Sequence, residues 1–445
     1  MISAVLTGRP APGRRLPEGA LSVGGGFVVS GLTVYGFLVL SARAVGPEQY
    51  VAISVLYSLV SIVAFGCFLP LEQEVSRILS ARATLGIGGG ALVRRAVLAS
   101  GMLSAVLLGA AFVGAGPLLD HAFDRQPVLL AAFAISLVSY GPAHLTRGVL
   151  LGNRRFRAYG LFLSGEGILR FMACGALLAL GVRTSGPFGL LIGLPPLLAV
   201  AMVLFRERGL ITPGPDTPLR ELFGALGFLF AGSMLSQLLL HAAPVAVKLL
   251  ADDSQQRIAG QFLAGLVVAR VPIFLFQAVL AALLLKLASL AAAGRHRDFS
   301  LGLRRVVLLV VALGGAASIA GLLVGPEVMR ILFGAEFSLD RLDLVFLIVA
   351  SAAFMVAHTL GQALIALSGH ARVTVGWLLG VVAFVVVTWA VSDLLLRVEL
   401  GLLAGSATGA AAMAILLRGV TRAVPRAGVP GQVTSPCPSA PGVRP

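Results

Sequence analysis

Long apolar runs separated by short polar segments fill most of this chain. Between residues 21 and 418 the runs extend for about 20 residues or more, the length an α-helix needs to cross the hydrocarbon core of a bilayer. They do not alternate apolar with polar residues over short segments, so they predict helices and not the strands of a barrel. Twelve spans follow, near 21–42, 50–69, 96–116, 128–151, 158–181, 186–205, 221–247, 260–285, 303–325, 343–367, 373–395 and 400–418. The pattern therefore predicts an all-α polytopic membrane protein.

The polar segments set the organisation. Residues 1–20 and 419–445 are rich in Pro, Gly and Arg or Ser and are expected to be disordered cytoplasmic ends. Residues 21–205 form one six-helix lobe and 221–418 a second, with a cytoplasmic linker at 206–220. Because six is even, the lobes share one orientation, as in a pseudo-two-fold repeat about the membrane normal. Three matched places support a repeat: Gln49-Tyr50-Val51-Ala52 with Gln256-Arg257-Ile258-Ala259, Gly116-Pro117 to Phe123 with Gly325-Pro326 to Phe333, and GNRRF with GHARV, which pairs Gly152 and Arg155 with Gly369 and Arg372. The stretch LEQEVSRILSARATLG (71–86) places Leu71, Val75, Ile78 and Leu79 on one helical side and is expected to be an interfacial helix continuing span 2.

Composition strengthens the membrane assignment. The mean hydropathy is +0.97 and only 12% of the 445 residues are charged, far from the range of soluble domains. Basic residues outnumber acidic ones 34 to 19, but they are scattered between spans and form no nucleic-acid patch. With both termini in the cytoplasm, 24 basic residues fall in or beside inside segments and 8 outside, as the positive-inside rule requires. The ratio of 32 Arg to 2 Lys points to a high-GC bacterial genome, so the expected location is a bacterial plasma (inner) membrane. Residues 1–20 lack the apolar run of a cleavable signal, and the first span is expected to serve as an uncleaved anchor. Cys67, Cys174 and Cys437 have no pairing or metal spacing and read as free thiols.

Motifs for catalysis are missing. The two lysines do not complete a Walker A loop, the six histidines form no HExxH pair, and there is no GxSxG elbow. No cofactor, metal or enzymatic activity is expected. The outside loops are also short for a membrane polymerase or ligase acting on lipid-linked sugar. The informative residues are charges inside spans. Glu166 and Arg170 are spaced i, i+4 with the acid first, the favourable order for a helical ion pair. At 1.5 Å per residue they lie roughly 12 and 18 Å into span 5, so they face protein or a wet cavity. Two readings stay open: a self-neutralising structural pair, or a cavity site in which Arg170 is lent to a ligand anion, with protonation of Glu166 freeing Arg170. Arg270 lies mid-span, has no acid at i±3 or i±4, and precedes Pro272 by two residues. An unpaired guanidinium seeks an anion, and the proline permits a bend beside it, so Arg270 reads either as cavity-lining or as the partner of a residue such as Glu166. Gln237, His241, Gln277, His358 and Gln362 are lesser candidates, more often interhelical glue than substrate ligands.

Several stretches bear a family likeness. ARAVGPEQYVAISVLYSLVSIVAFGCFLPLEQEVSRILSARA, LLGNRRFRAYG, ARVPIFLF, and VMRILFGAEFSLDRLDLVFLIVASAAF followed by ALSGHARV resemble bacterial polysaccharide flippases of the multidrug, oligosaccharidyl-lipid and polysaccharide exporter superfamily. The resemblance covers residues 20–418. It implies two six-helix lobes in a V, with spans 1, 2, 7 and 8 walling a cationic cavity that opens alternately to each side. It also implies flipping of a polyprenyl-(pyro)phosphate-linked oligosaccharide for cell-surface polysaccharide biosynthesis, beside a polymerase or glycosyltransferases and without nucleic acid. Arg270 matches a basic position of that family, and Arg43 and Arg77 at the ends of spans 1 and 2 are companions by position. The chain has neither the extra C-terminal spans nor the span-1 charge of the lipid II branch, which favours exopolysaccharide, O-antigen-like or teichoic-type intermediates. A drug or cation exporter of the same superfamily is the competing reading; cavity carboxylates would favour it. A noncatalytic envelope scaffold would leave the intramembrane charges merely structural.

Overall fold

The computed structural model describes residues 19–215, 226–273, 276, 287, 289–291 and 293–423. Most of both termini predicted to be disordered, Cys437, part of the 206–220 linker, and Gln277 and Lys286 in the second half of span 8 lie outside the described residues. Among the described residues, twelve long helices carry the fold: α1 (Ala20–Val63), α2 (Leu69–Thr84), α3 (Gly90–Val113), α4 (Pro127–Gly152), α5 (Phe156–Ala179), α6 (Ser185–Arg206), α7 (Leu226–Leu250), α8 (Gln256–Ala269), α9 (His296–Phe333), α10 (Arg341–Ala366), α11 (His370–Ala390) and α12 (Leu394–Ala423). Ten helical stretches among the described residues are long and apolar enough to span a membrane, and one of them, Leu21–Thr84, crosses twice. Apolar side chains such as Phe112, Val113, Phe205 and Trp389 point outward, as a lipid-facing surface requires.

The double crossing is made at Gly46, whose φ of 80° and ψ of 171° break α1. Only glycine adopts that conformation without cost, and Pro47 restarts the helix because its missing N–H is not needed there. Gly19 abuts Phe156 and Leu79 abuts Gly152, so the two ends of the 64-residue stretch return to one side of the bundle. Arg43 and Tyr50, flanking the turn, meet residues 331–337 at the opposite side. The first side carries Arg77, Arg82, Arg94, Arg95, Arg154 and Arg155, and is called the arginine-rich end below.

Between α1 and α2 the helix passes through a π segment, Ala64–Phe68. Pro70 explains it. A proline in a continuous α-helix clashes with the carbonyl four residues back, and one wide turn relieves the clash. In the π pattern the amide of residue 70 would serve the Phe65 carbonyl, and proline has none to give. The Ser233 hydroxyl on α7 donates to that carbonyl instead, at 2.8 Å. The helix then continues directly into α2, whose Leu71, Val75, Ile78 and Leu79 pack on Leu92, Val93 and Ala96 of α3 and Leu145 and Val149 of α4. This corrects the expectation of an interfacial helix over 71–86: the apolar stripe faces protein, and Glu72 and Glu74 are buried with it.

The repeat is visible in matching corners. Helix α4 ends at Gly152 and is followed by Asn153, left-handed Arg154 (φ 57°) and Arg155 before α5; α10 ends at Ala366 and is followed by Leu367, left-handed Ser368 (φ 59°) and Gly369 before α11. The closing hydrogen bonds also agree, from the Arg155 amide to the Leu150 carbonyl and from the Gly369 amide to the Leu364 carbonyl, each at 2.8 Å. The register differs from the sequence expectation by three residues: Arg155 corresponds to Gly369, and Gly152 to Ala366. The shared GxxR letters therefore do not occupy equivalent positions.

Close helix approach is confined to particular glycines. In SVGGGF a Cβ on Gly26 would lie 2.8 Å from the Gly160 Cα, and one on Gly160 would lie 2.2 Å from the Ser22 carbonyl, whereas Gly24 and Gly25 have open space. Gly160→Val should lower stability by about 1–3 kcal/mol through overpacking of α1 on α5. Gly25→Ala should be neutral or stabilising by up to about 1 kcal/mol. Thermal unfolding of the two purified variants followed by size-exclusion chromatography checks the contrast.

Candidate functional site

Three polar centres lie inside the bundle, and tyrosines connect them. The first is at the interface of the lobes. Arg270 closes α8 where Pro272 prevents regular continuation, and its guanidinium donates to the Leu240 carbonyl of α7. Tyr35, Tyr50 and Tyr57 of α1 and His241 of α7 lie within electrostatic reach of it. The Tyr57 and His241 rings meet edge-on at 6.2 Å across the interface. Among the described residues Arg270 has no carboxylate partner, which excludes Glu166 as its mate in this conformation. A half-buried guanidinium held by one neutral acceptor keeps donors for a ligand.

The second centre is the Glu166–Arg170 pair of α5, with 2.6 Å between Oε1 and the guanidinium and both side chains buried. Arg170 Nε donates to the Leu191 carbonyl at 3.1 Å, and its terminal nitrogen lies 3.5 Å from the Tyr140 hydroxyl. This geometry is that of the self-neutralising pair. It lies within electrostatic reach of Tyr57, so the pair and Arg270 share a neighbour.

Sequence reasoning missed the third centre. Glu72 of α2 accepts from Arg147 of α4 at 2.6 and 3.0 Å, lies 2.7 Å from His144 Nδ1, and accepts from the Tyr159 hydroxyl of α5 at 3.4 Å. The span expected to end near residue 69 instead continues as one helix through Glu72, which brings this carboxylate inside the bundle. Glu399 of α12 is a further buried carboxylate, and neither of its oxygens has a hydrogen-bond partner among the described residues. A signal was present: the chain has only five tyrosines, of which Tyr140 and Tyr159 touch the paired centres and Tyr35, Tyr50 and Tyr57 lie within electrostatic reach of Arg270.

Other predicted residues act elsewhere. Arg43 donates to the Leu332 carbonyl at 2.6 Å and to the Ile331 carbonyl, tying α1 to α9 at the end opposite the arginine-rich one. Lys248 of α7 pairs there with Asp124, which joins the lobes a second time, and reaches the Gln256 side chain at 3.3 Å. Arg77 pairs with Glu74 on its own helix at 2.5 Å, with its side chain 63% exposed. His358 stacks on Phe354 and lies near Trp377 inside the second lobe, a packing role. An apolar cavity of about 520 Å³ lies between the lobes, walled by Val55, Leu59 and Val63 of α1, Leu107 of α3, Phe133 of α4 and Val245 of α7, with Lys248 and His121 on its lining.

The buried Glu166–Arg170 pair sets a stability test. Glu166→Ala leaves a buried guanidinium unpaired and should cost about 3–5 kcal/mol, whereas the double change Glu166→Leu with Arg170→Met should recover most of that loss. Thermal melting of the single and double variants checks it; equal melting temperatures would place the pair in water.

Comparison with known proteins agrees with this geometry. No described protein family matches the chain by its sequence profile. Uncharacterized proteins of Mycobacterium tuberculosis and Mycobacterium bovis are each 24% identical to it over 387 residues, 82% of this chain and 84% of theirs. A multidrug resistance MATE family transporter of the MOP superfamily in its inward-facing conformation superposes with a TM-score of 0.68 at 15% identity, over 89% of this chain and 96% of that one. An outward-facing conformation of such a transporter gives 0.65 at 16% identity, over 91% and 94%. A variant of a MATE transporter of Vibrio cholerae gives 0.65 at 15% identity, over 91% and 97%. The chain thus has the two-lobed, multi-pass fold of MATE transporters of the MOP superfamily.

Proposed function

We propose that the protein is a membrane transporter that moves an amphipathic substrate by alternating exposure of the space between its two lobes. The observation that carries this reading is the fold, which is known in both inward-facing and outward-facing conformations. Physical chemistry fits. A polar solute cannot cross hydrocarbon without losing its hydrogen bonds, and a two-lobed protein supplies partners on the way while the lobes rock. Arg43–Leu332 and Lys248–Asp124 are contacts that such rocking must break and remake.

For the substrate, export of a drug-like molecule has the stronger support. The structures sharing the fold are described as multidrug transporters, and the interlobe cavity of about 520 Å³ falls within the usual range for small-molecule sites. Its apolar walls would hold a hydrophobic body, and Arg270, which lies off this lining on a separate small pocket with Leu240 and Ser351, would meet a negative or zwitterionic head as the lobes rock. One observation favours a second reading, the flipping of a polyprenyl-linked (pyro)phosphate oligosaccharide from the inner to the outer leaflet. Among the described residues that line this cavity or surround Arg270 none is a carboxylate, and a phosphate would be welcome where a cation would not.

Efflux of carboxyfluorescein and of ethidium from cells expressing the protein tests the first reading. Carboxyfluorescein should leave faster, Arg270→Ala should slow it by about 10- to 100-fold through loss of a charge-assisted hydrogen bond, and Arg270→Glu should invert the preference. No efflux of either dye, with accumulation of a lipid-linked oligosaccharide in a deletion strain, would shift the assignment to the second reading.

A further inference from the structure

The corner between α4 and α5 departs from two local rules at once. Arg154 holds φ at 57°, a conformation for which glycine or asparagine is the ordinary choice. Arg155 is the N-cap of α5 and Arg157 lies in its first turn, where the helix dipole presents positive charge and disfavours a cation. The internal repeat shows that the turn does not require these side chains. In the register set by the left-handed residues, the equivalent places in the second lobe are Ser368, Gly369 and Ala371, and that corner closes with the same 2.8 Å hydrogen bond. Folding therefore explains the backbone of the corner and leaves its three guanidiniums unexplained. The positive-inside rule asks for basic residues near span ends, not for their placement on a left-handed residue and a helix N-terminus.

Two more guanidiniums are brought to the same place. The Asn153 side chain donates to the Leu210 carbonyl at 2.9 Å, and Arg155 lies 3.9 Å from Glu207, so the chain leaving α6 is held against the corner with Arg206 and Arg208 on either side of that carboxylate. All five arginines are exposed, and Arg154, Arg157, Arg206 and Arg208 have no hydrogen bond or ion pair among the described residues. The dipole accounts for Arg206 alone, at the C-terminal end of α6. The adjoining surface faces lipid: Phe205 on α6 is 87% exposed, and Leu161, one turn beyond Arg157 on α5, is 56% exposed. Unpaired guanidiniums beside an apolar wall match an anionic phospholipid, with its phosphate on the arginines and its acyl chains along α5 and α6.

We propose that the α4–α5 corner and the end of α6 form a binding site for an anionic phospholipid of the surrounding bilayer, its phosphate shared among Arg154, Arg155, Arg157, Arg206 and Arg208. A phosphate there turns the conflict between these cations and the α5 dipole into attraction from both. It also secures the start of the segment that leads to the second lobe. The Gly90 amide donates to the Thr212 carbonyl at 2.9 Å, and a Cβ on Gly88 would lie 1.9 Å from the Pro213 carbonyl oxygen, so this segment already lies along the first lobe. The lipid clamps the end at which it leaves α6. The site is separate from the interlobe cavity, and its occupancy is read without a transported substrate.

Native mass spectrometry of the full chain in neutral detergent, titrated with phosphatidylglycerol or phosphatidylcholine, measures the preference. Wild type is expected to bind the first phosphatidylglycerol about tenfold more tightly than phosphatidylcholine. Arg154→Ser with Arg155→Gly and Arg157→Ala gives the corner the residues of its second-lobe counterpart and should reduce that preference to about twofold or less. Arg304→Gln with Arg305→Gln and Arg372→Gln removes the same charge from exposed positions of the second lobe and should leave it unchanged. Equal losses in the two triple variants would reduce the effect to net charge and overturn the site, as would equal affinity of wild type for both lipids. Should the corner variant not fold, Arg206→Gln with Arg208→Gln is compared with Arg304→Gln and Arg305→Gln, with the same contrast expected. Backbone hydrogen exchange of residues 153–158 and 206–212 separates the sources of phosphate: phosphatidylglycerol should slow it about fivefold and millimolar inorganic phosphate should not. Equal protection by inorganic phosphate would replace the lipid with a soluble anion and overturn the proposal.

Discussion

A guanidinium inside hydrocarbon must find its acceptors within the protein, and the interior of this bundle is arranged around three that do so differently. Arg147 and Arg170 are each neutralised by a carboxylate, Glu72 and Glu166, at 2.6 Å. Arg270 has only a backbone carbonyl and a ring of tyrosines. Burying a charge without a partner costs several kcal/mol, so the two paired arginines belong to the framework, while the donors of Arg270 meet no carboxylate among the described residues. Both paired arginines lie in the first lobe and the underused one on the second. The interface between the lobes is therefore where the electrostatic balance is least complete.

Helix geometry follows from the same need to keep backbone groups satisfied. Gly46 reverses the chain and Pro47 restarts it, and the turn is covered by Arg43 on the carbonyls of Ile331 and Leu332 and by Tyr50 against Phe333 and Phe337. Pro70 leaves the Phe65 carbonyl without its intrahelical donor, and Ser233 supplies one from the opposite lobe. Backbone irregularity in span 2 is thus repaired across the interface at both ends. Any movement of the lobes would have to exchange these repairs for others, which ties the geometry of the helix to the packing of the lobes.

Apolar periodicity alone reveals the spans, because a membrane helix is a long uniform signal. Boundaries were harder to read where polar residues are buried. The letters LEQEVSRILSARATLG carry two glutamates and two arginines and suggest an aqueous surface, yet Glu72 sits against His144, Arg147 and Tyr159, three residues that follow it by 72, 75 and 87 positions. No local spacing encodes such a cluster. The i, i+4 pair of Glu166 and Arg170 was legible for the opposite reason, since one helix holds both partners. Arg270 was legible as an unpaired charge, but its tyrosine surroundings came from span packing. The repeat shows the same limit: letters pair Gly152 with Gly369, while the left-handed residues Arg154 and Ser368 set the true register.

The five tyrosines show how a sparse residue type can mark a path. A phenol is the one aromatic group here that carries both an apolar body and a hydroxyl, so it can line a route between charges without adding a charge itself. Tyr159 touches Glu72, Tyr140 stands between His144 and Arg170, Tyr57 lies in reach of both Arg170 and Arg270, and Tyr35 and Tyr50 complete the surroundings of Arg270. The series runs from the arginine-rich end toward the lobe interface. Charge added at one point of such a series alters the cost of charge at the next, because a buried interior screens little.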